Sequence, residues 1–113
     1  MDTFHSTIKN KKYYDVDLRG KNMNNQPIRE YYLDGIVCLE KFMLHGKLHR
    51  VDGPAVIKYY PSGEKEYEEY YKNGKVHRDN GPAYISYYID GRIDEKWYYT
   101  DGCLDKCVKC KYY

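Results

Sequence analysis

Two kinds of segment in this chain, the first of them present twice, carry side chains capable of chemistry. In "GKLHRVDGPA", beginning at Gly46, His49 and Arg50 stand beside Asp52, Gly53 and Pro54. In "GKVHRDNGPA", beginning at Gly74, His77 and Arg78 stand beside Asp79, Gly81 and Pro82. A histidine next to an arginine and a carboxylate could move a proton or hold an anion. The second kind is "CLDKCVKC", where Cys103, Cys107 and Cys110 could supply three zinc ligands, with distant Cys38 or a histidine as the fourth.

The recurrence of the first motif argues against catalysis. Its two copies lie 28 residues apart, and a motif that returns with a repeat serves what every repeat needs. The acids also drift, because Asp52 aligns with Asn80 and Asp79 aligns with Val51. The expectation is a structural corner. Glycine before proline supplies the backbone geometry, while the His and Arg side chains satisfy loop carbonyls or Asp52 and Asp79. Anion binding at the repeated corner is the functional alternative, and no catalytic residue is expected. For the cysteines, Cys-x3-Cys-x2-Cys lacks the paired knuckles of a zinc ribbon. In a strand, Cys107 and Cys110 would point to opposite faces. Free thiols are expected, with disulfides or a metal as alternatives, and no cofactor is implied.

The elements that position these residues follow from the same 28-residue shift. It superposes Gly46-Lys47 on Gly74-Lys75, Gly53-Pro54-Ala55 on Gly81-Pro82-Ala83, and Tyr59-Tyr60 on Tyr87-Tyr88. Partial copies flank these units at Tyr31-Tyr32 and at Asp101-Gly102. Asn-Gly and Asp-Gly between runs rich in Tyr, Ile, Val and Trp are hairpin signals, since both positions tolerate positive φ. Each unit reads as a strand over 54–60, a turn at 61–63, a strand over 64–72, a tight turn at Asn73-Gly74 and then the corner. The expected fold is all-β: an elongated, single-layer antiparallel meander of 28-residue hairpins. Residues 1–26 would form an N-terminal cap with Tyr14, Val16 and Leu18 on one side. Residues 27–102 would be the repeats and 103–113 a Cys-rich C-terminal cap.

In such a sheet, equivalent tyrosines such as Tyr31, Tyr59 and Tyr87 would stack in columns. Glu64, Glu66 and Glu68, opposed by Arg92 and Lys96, read as a solvated face. Tyr67, Tyr71, Trp97 and Tyr99 fall on the other side and form the expected contact surface. Composition agrees with a tyrosine-rich folded chain: 16 of 113 residues are tyrosine, which supplies strand-forming area with a polar tip. A net charge of +2 with interleaved signs offers no basic block for nucleic acid. No signal-peptide run and no membrane-spanning stretch is evident, so an intracellular soluble protein is the default expectation.

The Tyr-Tyr-x-x-Gly turns resemble MORN repeats, and the fuller G-K-x-H-R-x-x-G-P-A unit is similar to the MORN-variant repeats of giant DNA viruses and some phages. The resemblance covers Tyr31 to Gly102. It implies a non-enzymatic scaffold that binds a protein partner or dimerises, in a viral, virion-associated or host-interaction setting. The alternative is a small module for glycans or anionic lipid headgroups, using tyrosine faces and the His-Arg corners, which would bring the chain to a membrane surface.

Overall fold

Aromatic and β-branched runs punctuated by glycine form strands here because such side chains pack well across a pleated surface. The computed structural model describes the backbone of residues 9–14 and all of residues 27–110. The strands are β1 (Lys9–Tyr14), β2 (Ile28–Tyr32), β3 (Val37–Lys41), β4 (Met43–Leu44), β5 (Lys47–Leu48) and β6 (Val56–Tyr59). They continue as β7 (Lys65–Glu69), β8 (Tyr71–Lys72), β9 (Lys75–Val76), β10 (Tyr84–Tyr87), β11 (Ile93–Thr100) and β12 (Cys103–Lys109). There is no helix among the described residues. Val16 and Leu18 of the expected opening strand lie outside the described residues.

Eight strands make one sheet in the order β1-β2-β3-β6-β7-β10-β11-β12, while β4-β5 and β8-β9 form separate two-stranded hairpins. Every pairing is antiparallel. The molecule measures 44 × 44 × 17 Å, a thin plate as broad as it is long rather than an elongated ribbon.

Two kinds of turn alternate. At His45-Gly46, Asn73-Gly74 and Asp101-Gly102 both residues have positive φ, the geometry of tight two-residue hairpin loops. Asp34-Gly35 and Asp90-Gly91 behave differently: only the glycine is left-handed. There Gly35 N–H donates to Tyr32 O and Gly91 N–H to Tyr88 O, closing three-residue loops. Each such loop is followed in the ladder by a bulge, at Glu30/Tyr31 and at Ser86/Tyr87. Asp34 and Asp90 accept from the backbone N–H groups of Ile36 and Arg92, so these aspartates act through their side chains rather than through unusual φ.

The strand expected over 64–72 is broken at Tyr70. Its N–H donates to Ala83 O and its carbonyl accepts from His77 N–H, so β8 turns away from the main sheet into its own hairpin. Ala55 and Ala83 are fully enclosed where this happens, and Val56, Ile57 and Ile85 continue the apolar interior along β6 and β10.

The tyrosine columns take a different form from simple stacking. Equivalent tyrosines sit two strands apart, about 10 Å, which is too far for ring contact. Instead the hydroxyls reach acceptors on other strands, carboxylates for Tyr59 and Tyr87 and backbone carbonyls for Tyr32 and Tyr60. Tyr59 Oη donates to Glu40 Oε1 at 2.7 Å and Tyr87 Oη to Glu68 Oε1 at 2.6 Å. Tyr32 and Tyr60 donate to the carbonyls of Tyr59 and Tyr87 at 2.7 and 2.6 Å.

The expected solvated row of acids is corrected accordingly. Glu68 is 6% exposed and also accepts from Lys65. Glu66 pairs with Lys58, and Glu64 alone is exposed in the manner expected. Arg92 pairs with Asp90 of its own turn, and Lys96 faces Ile85, because β10 stands between β7 and β11.

Burial, followed by the hydrogen bonds to Glu40 and Glu68, pushes the Tyr59 and Tyr87 phenols well above their ordinary value. A raised folded-state pKa means that the stability these phenols contribute is complete below about pH 10 and is lost as pH rises through the folded values. Tyr87→Phe should therefore destabilise the chain by about 2 kcal/mol at neutral pH in denaturant unfolding. The Tyr59→Phe/Tyr87→Phe chain should show a weaker fall in melting temperature above about pH 10 than the parent.

Candidate functional site

The two corners use their chemistry internally. The Arg50 guanidinium lies 3.8 Å from the centroid of the Phe42 ring, and Arg78 lies 4.0 Å from that of Tyr70. On the other side is a glycine: a Cβ on Gly53 would meet Arg50 at 3.2 Å, and one on Gly81 would meet Arg78 at 3.1 Å. Each guanidinium also donates from Nη1 to a proline carbonyl, Arg50 to Pro54 at 3.1 Å and Arg78 to Pro82 at 3.2 Å. A side chain at either glycine would crowd the stacked guanidinium, which would have to give by a few tenths of an ångström.

The histidines close the neighbouring turn. His49 Nδ1 accepts from Asn73 N–H and His77 Nδ1 from Asp101 N–H, both at 3.0 Å. With Nδ1 accepting, the Nε2–H tautomer of His77 donates to Asp79 Oδ1 at 2.7 Å. Val51 stands in place of Asp79 in the first copy, so His49 lacks that partner while keeping the turn contact. Asp52 is exposed. Both corners border one groove of about 530 Å³. The histidines thus line a common groove because the corners are neighbours along one edge of a plate, while their Nδ1 atoms remain committed to separate turns.

The cysteines are not brought together. Cys38 is buried in β3, whereas Cys103 and Cys107 are exposed on β12 with Cys110 just beyond it. Four strands separate β3 from β12. Among the described residues no group of three or more His, Cys, Asp or Glu could hold a metal ion.

The expected contact residues do meet. Tyr71, Trp97 and Tyr99 line a cavity of about 360 Å³ together with Glu69, Tyr84 and Glu95, and Val76 contributes from the side hairpin. Tyr67 lies beside it, its ring 5.6 Å from that of Tyr84, which is in turn 5.9 Å from Trp97 and nearly perpendicular to it. Register explains the grouping, since Glu69, Tyr84 and Trp97 are direct cross-strand neighbours on β7, β10 and β11. Trp97 Nε1 donates to Glu95 at 3.2 Å, and Tyr71 Oη donates to Glu69 at 3.4 Å.

Burial raises the Glu69 carboxyl above its usual range, partly offset by the Tyr71 phenol. Burial and then the Glu69 charge push Tyr71 up to about 12. Glu69, Tyr84 and Glu95 were not among the expected residues. The two acids share the odd-numbered parity of Tyr67 and Trp97, which was a usable signal. Tyr84 enters only through strand register.

Removing either corner histidine leaves a turn N–H without its acceptor, so His49→Ala and His77→Ala should each lower stability by about 1 kcal/mol in thermal melts. Gly81→Ala should destabilise as well, because its φ of +148° and the stacked Arg78 both resist a side chain. For Glu69 the raised carboxyl pKa works against the charged form: its stabilising contribution is full below the ordinary carboxylate range and is lost as pH rises through the folded value. Glu69→Gln should accordingly raise the melting temperature at neutral pH, and the gain should vanish as pH falls below about 4.5.

No helix among the described residues is long and apolar enough to cross a membrane. Compared with protein-family models, curated proteins and solved structures, the chain matches none.

Proposed function

We propose that this chain is a non-enzymatic, MORN-like repeat scaffold, a meander of 28-residue hairpins that binds a protein partner or a second copy of itself. The observation carrying this reading is the half-exposed aromatic surface at Tyr67, Tyr71, Tyr84, Trp97 and Tyr99, on a plate only 17 Å thick. Aromatic side chains with polar tips are the residues that supply binding energy at protein interfaces. The face is favoured over the open edge. Edge strand β12 carries Asp105, Lys106 and Lys109, and such charges discourage strand addition. The setting implied by the sequence resemblance, a viral structural or host-interaction protein, belongs to the same proposal.

Binding of glycans or anionic headgroups through the corners is less favoured. The Arg50 and Arg78 guanidinium groups are stacked and bonded within the chain, and the aromatic face carries carboxylates that repel anions.

Light scattering over a concentration series, with affinity capture from the native source, tests the reading. The Tyr71→Ser/Trp97→Ser chain should lose association by at least about tenfold while keeping its strand signature in circular dichroism. A monomer at every concentration, with co-purifying proteins unaffected by the double substitution, would refute it.

A further inference from the structure

The aromatic cavity differs from the corners in one decisive respect: it does not recur. Shifted back by 28 residues, Glu69, Tyr71 and Tyr84 become Lys41, Met43 and Val56, and Trp97 becomes Glu69. The corner motif is kept in both copies, as a folding requirement would be. Tyr99 keeps the tyrosine of its counterpart Tyr71, but both carboxylates, Tyr84 and Trp97 depart from the repeat, so the hairpin fold does not itself demand the constellation.

Its chemistry is specific. Tyr71, Tyr84, Trp97 and Tyr99 line it together with two carboxylates, Glu69, which accepts from the Tyr71 hydroxyl, and Glu95, which accepts from the Trp97 indole. Glu95 has the Lys109 ammonium 4.0 Å away, but that ammonium is held by Asp94 at 2.5 Å. Glu69 has no basic group within 4.0 Å among the described residues. A half-buried carboxylate without a counter-ion, beside electron-rich rings, attracts an organic cation through charge and through the ring quadrupoles together.

We propose that this cavity binds the methylated ammonium head of a lysine side chain presented by a partner protein, with Glu69 as counter-ion and the Tyr84–Trp97 pair as its principal aromatic wall. The inference rests on reading this face as the binding surface. N-methyl groups suit it because they spread the positive charge over an apolar shell whose dehydration against the rings costs less than that of a bare ammonium, while a remaining N–H can donate to Glu69. At about 360 Å³ the cavity falls in the range of small-ligand sites, roughly 300–1,000 Å³. The head therefore enters with part of its methylene stem, against Val76 and Tyr99. A phosphocholine headgroup fits less well: its phosphate follows the ammonium by two carbons and would be carried toward Glu69 and Glu95.

The chain contains a single tryptophan, Trp97, so its fluorescence reports on the cavity directly. The full chain is titrated with the N-acetyl amides of dimethyllysine, lysine and norleucine, and with phosphocholine. Dimethyllysine should give saturable quenching, with lysine at least about threefold and norleucine at least about tenfold weaker. Glu69→Gln, a substitution that should leave the chain folded, should weaken dimethyllysine binding about tenfold. Equal affinity for norleucine or for lysine, tighter binding of phosphocholine, or an unchanged Glu69→Gln chain would overturn the proposal. If no probe binds while Tyr71→Ser/Trp97→Ser still abolishes association, the ammonium site falls and the scaffold reading stands. If the probes bind as expected but association ignores those substitutions, the scaffold reading falls instead.

Discussion

Hydroxyl groups of tyrosine reach across this sheet to acceptors far away in sequence, and the plate depends on those bonds. Tyr59 to Glu40, Tyr87 to Glu68, Tyr32 to the Tyr59 carbonyl and Tyr60 to the Tyr87 carbonyl are all 2.7 Å or shorter. A sheet 17 Å thick has no thick apolar layer against which to bury aliphatic side chains, and its buried apolar set is short. Tyrosine suits that constraint, because one side chain supplies both ring area and a hydrogen bond. The carboxylate acceptors are in turn held by cations, Glu40 by Arg29 and Glu68 by Lys65, so a buried acid is matched rather than stranded.

The corners solve a second problem, the passage from a side hairpin back into the main sheet. Arginine lies flat between a ring and a glycine and bonds the carbonyl of the following proline. Histidine meanwhile secures the N–H of the residue that starts the next tight turn. Each conspicuous polar side chain is thereby consumed by backbone geometry. The motif that first suggested chemistry is best explained by the path of the chain, and the groove between the two corners is a consequence of their being neighbours.

Function is better sought where the chain breaks its own pattern. Glu69, Tyr84 and Trp97 line up across three strands, and none of them matches its counterpart in the preceding unit. A constellation of this kind has a desolvated charge, polarised rings and an opening to solvent. Those are the attributes on which the proposed recognition of an organic cation rests.

The sequence alone determined the element types, because alternating aromatic and β-branched runs cannot form an amphipathic helix and glycine after Asn or Asp can take positive φ. It also grouped Tyr71, Trp97 and Tyr99 by their odd-numbered positions, and they line one cavity although the strand leading to Tyr71 is broken at Tyr70. Tertiary structure decided what parity cannot encode. The break at Tyr70, the bulges beside the three-residue loops and the insertion of β10 between β7 and β11 set which residues oppose one another. That register buried Glu68 where an exposed acid was expected, kept Lys96 away from it, and brought Tyr84 between Glu69 and Trp97. Cross-strand neighbours are chosen by hydrogen-bond register between segments distant along the chain, and no local pattern of side chains contains that choice.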